Sequence, residues 1–406
     1  MTAEVAVLNR AAVAIAADSA ATVRGKVFNS ANKIFALSRH QPVGIMIYGN
    51  AGFMGVPWET IIKLYRKKLG RKSFPTINEY TEDFFNFLCT EDKLFDEEYI
   101  SNFTELFLTE IAKNKFNEIK EKSSIPRFSK TRLIQNVGRY IDQRCEDLSG
   151  TEFIRGFDKN KHDEYKRSIK PIIDKVINKE FHGCISSDRR LNKLVDILVS
   201  YLTKKWSDTG ETGIVITGFG SEEIFPNLYC YECTGLFGGV VWRRQKYEVN
   251  IDSNDVSATL IAFAQTDVAK TFIDGIDPEI AEVFHGIMAR SFKEVKKIAR
   301  NKKVSALTDE LMKNFYEEFE KFRFAKHVRP MLQMIDVLPI DELARLSEAL
   351  VNITSLKRHV TVDLETVGGP IDVAVISKGD GLIWVSRKHY FNPETNPDYF
   401  ARIRSD

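Results

Sequence analysis

The sequence predicts an α+β protein, and three observations carry that reading. Strand-like segments fall in three blocks: the first 50 residues, 212–265 and 360–386. Helix-like segments, with apolar residues at 3-to-4 spacing, fill the intervals. Turn residues punctuate the strand blocks in hairpin fashion. Strand blocks this far apart imply one sheet-bearing body that carries helical insertions. The organisation follows: 1–69, 209–274 and 337–391 as three parts of the core, 70–208 and 275–336 as helical insertions, and 392–406 as a polar tail.

In chain order, Val5 to Leu8 and Ala11 to Ala17 form a first hairpin around Asn9-Arg10. Lys33 to Leu37 and Val43 to Tyr48 form a second pair of strands, ending in Gly49-Asn50-Ala51-Gly52. Trp58, Ile61, Ile62, Tyr65 and Leu69 keep helical spacing, with Pro57 compatible with the first turn only. From 70 to 208 charges are dense, Gly is sparse, and Phe84 to Leu88, Phe103 to Ile111 and Leu191 to Leu202 read as helices. Ser123 to Arg127 and Gly150 to His162 read as loops. Strands return at Gly213–Gly218, Leu228–Cys233, Val240–Trp242 and Tyr247–Ile251, and Val256 to Gln265 leads into a helix. The aromatic stripe Phe315, Tyr316, Phe319, Phe322 and Phe324 fits a core between inserted helices or an oligomer contact. Pro339-Ile340-Asp341-Glu342 opens a helix to about Asn352, with acids at its positive end. Ile371–Ser377 and Leu382–Ser386 flank a Lys378-Gly379-Asp380-Gly381 turn.

The composition narrows the function classes. Among 406 residues, 58 basic side chains face 56 acidic ones, which gives no global case for nucleic acid or an anionic membrane. The basic runs at 66–72 and 293–303 are not interleaved with stacking aromatics. No apolar stretch approaches the ~20 residues of a spanning helix. The acidic Glu4 stands where a signal peptide would carry basic residues. These features predict a cytoplasmic protein without membrane or nucleic-acid partners. Five cysteines make no disulfide framework, and the lone Cys230-x-x-Cys233 has no second ligand pair, so no metal is expected. Gly235 to Gly239 lacks the Lys-Ser/Thr of a phosphate loop and reads as a hairpin turn.

The chemistry is concentrated at the N-terminus. Thr2 is small enough for Met1 to be removed by the initiator aminopeptidase. The freed α-amine, with a pKa near about 7.7–8.0, can then act as base toward its own hydroxyl. A lysine ammonium beside it would lower both pKa values, and a carboxylate would hold that lysine. Asp18 and Lys33 are placed at strand ends to serve. Gly49 offers a backbone N–H to an oxyanion with no Cβ in the way.

Thr2, Ala17-Asp18-Ser19-Ala20-Ala21-Thr22, Asn32-Lys33-Ile34 and Gly49-Asn50-Ala51 together resemble the proteasome-type N-terminal nucleophile hydrolases, in their β-subunit and bacterial peptidase-ring branch. The Thr2-to-Asp18 spacing matches that family, and the Thr2-to-Lys33 spacing is one residue shorter. Ala258-Thr259 and Gln265-Thr266 resemble the approach to a catalytic Ser, with Thr266 in its place. Leu338 to Ala349, Gly368-Gly369 and the hairpin from Ile371 to Val385 resemble the closing helix and strands. The sequence departs from the pattern at Ala20, where the family has Arg. It departs again at Leu364 and Val367, where an Asp and a Ser orient the threonine amine. Glu365 or Asp363 could compensate, each one residue out of place. The region 70–208 is additional.

The resemblance implies a four-layer α-β-β-α sandwich with inserted helical subdomains, and a threonine-type peptidase or amidase without a cofactor. Thr2 would be nucleophile and base, Lys33 its electrostatic partner, Asp18 the holder of Lys33, and Gly49 the oxyanion donor. Thr22 and Ala51 would pair with substrate backbone, and Ile47 would line the pocket before the scissile bond. The implied partners are a peptide or protein substrate, further copies of the chain and, with no nucleotide-binding loop present, a separate ATPase. The alternative is a catalytically inactive proteasome-like scaffold.

Overall fold

The computed structural model describes residues 3–23, 26–91, 93–123, 129–185, 187–205, 212–252, 256–299, 302–361, 367–399 and 401. The N-terminal block contains β1 (Glu4–Asn9), β2 (Ala12–Ala17), β3 (Ala21–Val23), β4 (Lys26–Phe28), β5 (Ile34–Ala36) and β6 (Val43–Gly49). The two-residue strands β7 (Gly52–Phe53) and β8 (Val56–Pro57) then lead into α1 (Trp58–Leu69). Asn9 makes the first turn: its Oδ1 accepts from the Ala11 and Ala12 amides at 2.9 and 3.2 Å. Trp58, Ile61, Ile62, Tyr65 and Leu69 are the buried face of α1, as the periodicity predicts, and Pro57 caps it from outside.

Six helices follow: α2 (Ile77–Thr90), α3 (Glu97–Ser123), α4 (Lys130–Ser149), α5 (Lys159–Ser168), α6 (Lys170–Glu180) and α7 (Asp188–Thr203). The stretch expected as a loop to His162 therefore already contains the start of α5, capped by Asp158. The loop expected from Ser123 lies at 124–127 outside the described residues. The second strand block is β9 (Thr212–Gly218), β10 (Asn227–Phe237), β11 (Val240–Asn250) and β12 (Ala258–Ala264). Here the three short strands expected from 228 to 251 are one long hairpin, turned at Gly238 and Gly239 with φ of 55° and 72°. Next come α8 (Thr266–Asp274), α9 (Pro278–Ala299), α10 (Lys302–Arg323), a π turn at Phe324–Val328, α11 (Arg329–Val337) and α12 (Ile340–Val360). The last strands are β13 (Asp372–Ser377) and β14 (Gly381–Ser386).

The protein is mixed α and β with antiparallel sheets. One five-stranded sheet has the order β12-β1-β2-β13-β14, the other β11-β10-β9-β6-β5. Segments from the beginning, middle and end of the chain are thus neighbours in one sheet. Apolar side chains of both sheets share a core, with Leu8, Ile15 and Ile376 from the first and Met46, Val215 and Cys230 from the second. The first sheet's other face packs on Ile335 of α11 and Leu343, Leu350 and Val351 of α12. The second sheet's other face packs on α1 and α2 through Trp58, Ile61, Tyr80 and Phe84. A further core joins α3, α4, α6 and α7 to Phe237 and Trp242 near the β10–β11 turn. Among the described residues no helix is long and apolar enough to cross a membrane.

Candidate active site

The site grows from the end of β2, a central strand. Its last residue, Ala17, stands opposite Glu4 of β1 and Asp372 of β13. Asp18 therefore leaves the strand between two paired neighbours, and its side chain is 0% exposed. A buried carboxylate must be fully satisfied, and this one is. Oδ1 accepts from the Ala3 amide at 2.9 Å and from Lys33 Nζ at 2.6 Å. Oδ2 accepts from the amides of Ala20 and Gly368, each at 3.1 Å. The neighbouring backbone closes the knot: the Asp18 amide donates to Ala3 O, the Ser19 amide to Gly368 O and the Ala31 amide to Ser19 O. Ser19 Oγ donates to Pro370 O.

Lys33 precedes β5, an edge strand of the second sheet, and its side chain is 6% exposed. Its ammonium reaches Asp18 on the first sheet, so the ion pair ties one end of the two sheets together. The Lys33 carbonyl accepts from the Ile47 amide at 2.9 Å. Amides alternate sides along a strand, so the Gly49 amide faces the same edge as that of Ile47, past the end of β5. Gly49 adopts φ 82°, a conformation that favours glycine. Beneath it Tyr48 is buried and its hydroxyl lies 3.4 Å from Cys230 Sγ. Burial, then the neighbouring thiol, pushes the phenol far up. Burial likewise pushes Cys230 up to about 12, so neither group is an ionised nucleophile at neutral pH. Cys230 and Cys233 belong to cores on opposite faces of the sheet; a separation of three residues along a strand inverts the side-chain direction.

Thr266 begins α8. The register explains its position: Ala264 of β12 pairs with Glu4 of β1, and the chain then turns at Gln265, held at φ 50°. Arg358 Nε donates to Gln265 Oε1 at 2.8 Å. Arg358 and Lys357 also bind Asp267 at 3.1 and 2.9 Å. Burial opposes the charge on Asp267, but these two cations outweigh it and hold the carboxyl below the usual range. Gly49 and Thr266 line one cleft with Tyr48, Phe263, Glu279 and Glu282.

The structure thus brings Asp18 and Lys33 into contact and sets Gly49 and Thr266 on a shared cleft. Ile47 is 5% exposed and packs in the core against α1 and α2. Thr22 is exposed on β3, opposite Val27 of β4. Ala51 is exposed, and its carbonyl accepts from the Trp58 amide at 3.1 Å. Thr2 lies outside the described residues, as do Asp363, Leu364 and Glu365. Val367 is buried against α12 and the first sheet. The sequence reading missed the amides of Ala3, Ala20 and Gly368, which carry no side-chain signature. It also missed Lys357 and Arg358, because α12 continues to Val360 rather than ending near Asn352. Their signal was present as the basic run Lys357-Arg358-His359, suited to a last helical turn.

No protein-family model matches the chain, and no curated protein matches it. Solved structures similar to it include Anbu (ancestral beta-subunit) from Yersinia bercovieri, at 10% identity and a TM-score of 0.29, covering 99% of this chain and 95% of that one. The helical assembly of the Anbu complex from Pseudomonas aeruginosa is similar at 8% identity and a TM-score of 0.33, covering 99% and 94%. Anbu from Hyphomicrobium sp. strain MC1 is similar at 10% identity and a TM-score of 0.30, covering 99% and 95%. Scores this low carry no inference about activity. The family assignment drawn from the motifs is corrected here. The short matches around Asp18, Lys33 and Gly49 are not accompanied by a match to any family model, so membership in the proteasome β-subunit branch does not stand.

Proposed function

We propose that the chain is an amide-bond hydrolase whose nucleophile is the N-terminal threonine left when Met1 is removed. One observation carries the reading: Asp18 Oδ1 accepts from both the Ala3 amide and Lys33 Nζ. The Ala3 amide is the peptide bond to residue 2, so a buried ammonium is held one carboxylate away from the threonine's own backbone. A lysine in that position is otherwise hard to explain, since burying an ion pair is weak evidence for stability alone.

In this reading the α-amine takes the Thr2 hydroxyl proton while Oγ1 attacks the substrate carbonyl carbon. The Gly49 amide binds the oxyanion. The ammonium then returns the proton to the leaving amine, the C–N bond breaks, and an ester to Thr2 remains. Water, deprotonated by the same amine, releases the acid and restores Thr2. Thr266 lies at the cleft beside Gly49, and Thr22 and Ala51, both exposed, would flank an extended peptide. The four-layer α-β-β-α order belongs to this reading, supported by the core shared between the sheets and by helices on both outer faces. So does self-association, supported by exposed apolar residues of α9 and α10 such as Ile280, Ile298, Leu307 and Leu311.

The test is direct. Intact mass should show Met1 removed, and short peptides carrying an amide-linked fluorophore should be hydrolysed. Thr2→Ala should lower kcat by at least about 10³, while Thr2→Ser keeps measurable turnover. Complete retention of Met1, or unchanged turnover in Thr2→Ala, overturns the proposal.

A further inference from the structure

A second buried ion pair stands beside the first. Asp372, the first residue of β13, pairs with Ala17 of β2, the residue just before Asp18. Its side chain is 3% exposed, and that of Lys388 is 10% exposed. The Lys388 ammonium binds Asp372 Oδ2, and the Lys388 amide donates to Oδ1 at 2.8 Å. The strand register brings the two together. Val373 pairs with Ser386 but Ala374 with Trp384, so Val385 is an extra residue in β14. Such a bulge re-aims the chain beyond it, here back toward the start of β13. On the way, Ser386 Oγ donates to Ile371 O at 3.1 Å.

The segment between the two ion pairs, 368–371, lies outside the strands, so no ladder fixes its position. Yet it carries part of the candidate site. The Gly368 amide donates to Asp18 Oδ2 at 3.1 Å, the Gly368 carbonyl accepts from the Ser19 amide at 3.2 Å, and Pro370 O accepts from Ser19 Oγ. The other donors to Asp18, on Ala3, Ala20 and Lys33, all belong to the N-terminal block. A carboxylate turns easily about its terminal torsion, so the donors on Oδ2 decide how Oδ1 meets the Ala3 amide and Lys33 Nζ. A buried ion pair adds little net stability over apolar residues of the same volume, so the contribution of Asp372 and Lys388 is geometric. We propose, on the threonine reading of the site, that Asp372, Lys388 and Ser386 are positioning residues. They tether 368–371, so that the Gly368 amide stays on Asp18 and the carboxylate keeps its aim.

Asp372→Val/Lys388→Met removes both charges together. It leaves no buried ion unpaired and should unfold near the wild-type midpoint. Hydrogen exchange of the full chain, read by mass spectrometry, should nonetheless show the amides of 368–372 exchanging at least about tenfold faster. Hydrolysis of the fluorophore-linked peptides should lose at least about tenfold in kcat, with KM within about twofold of wild type. Ser386→Ala disturbs no charge and should move exchange and kcat the same way, by about threefold or more. A merely structural pair predicts the reverse, with wild-type stability bringing wild-type exchange and kcat. Exchange needs no turnover. A wild type that hydrolyses nothing overturns the threonine reading, and faster exchange in the variants then still supports the tether. Unchanged exchange in both variants, or faster exchange with wild-type kcat, overturns the positioning role.

Discussion

At the scale of single residues, the Asp18–Lys33 pair separates stability from the proposed chemistry. Removing one partner leaves a buried charge uncompensated, which costs about 3–5 kcal/mol. Asp18→Asn alone and Lys33→Met alone should therefore each lower the midpoint of urea unfolding markedly. The double variant Asp18→Asn/Lys33→Met should recover most of the loss yet stay inactive on amide substrates. Recovery of activity with stability would show that the pair is only structural. The contact of Asp18 with Lys33 and the place of Gly49 at the end of β6 were legible because charged residues and glycine at strand ends are unusual among apolar neighbours. Ile47 was less so. Alternation sends Val43, Ile45 and Ile47 to the core under α1 and Met46 and Tyr48 to the core between the sheets. A strand apolar on both faces gives no sequence signal of which side is which.

At the scale of elements, the strands and α1 were legible from periodicity, and the joints between elements were not. The end of α12 is the clearest case. Leu356 and Val360 are exposed, so no buried face marks the last turns. What holds them is the polar link from Lys357 and Arg358 to Asp267 on α8. Because the folded Asp267 pKa is lowered, this link is fully present above the unfolded carboxylate value of about 3.9 and fades as pH falls through the folded value. The partners are partly exposed, so the link is worth roughly 0.5–1 kcal/mol. Thermal unfolding of Asp267→Asn should differ from wild type at pH 7 and converge with it in strong acid. A difference independent of pH would assign the effect to packing instead. The pairing of Gly213 with Tyr48 is another joint. A Cβ on Gly213 would lie 1.9 Å from the Tyr48 ring. Gly213→Val should cost about 1–3 kcal/mol, seen as a lower Tm, and should displace the support beneath Gly49.

At the scale of the whole molecule, the expected aromatic stripe divides. Phe315, Tyr316 and Phe319 pack on Phe284 and His285, while Phe322 and Phe324 are exposed. α9 exposes Ile280, Val283, Ile287, Val295 and Ile298. This row reads nearly the same in both directions about Ala289. Its first half carries Glu279 and Glu282 and its second half Lys293, Glu294, Lys296 and Lys297, of which Lys297 binds Glu294 and Lys296 binds Asp309 of α10. Two α9 helices packed antiparallel about Ala289 would meet apolar to apolar, with Glu282 of each opposite Lys296 of the other, an arrangement that a second copy of this chain satisfies on both sides. Sedimentation at micromolar concentration should show a dimer or larger species, and Val283→Glu/Ile298→Glu should yield monomers with an unchanged unfolding midpoint. A monomeric wild type would remove this assignment.

The interleaved order β12-β1-β2-β13-β14 has a consequence for biosynthesis. The last of the four donors at Asp18, the Gly368 amide, is translated some 350 positions after the carboxylate it satisfies. Until then the ribosome holds a nascent chain whose leading end has neither its flanking strand β13 nor a full set of partners for its acid. Closure of the shell around this carboxylate is thereby timed to completion of the polypeptide, and chains truncated before β13 should be synthesised with Asp18 short of a donor.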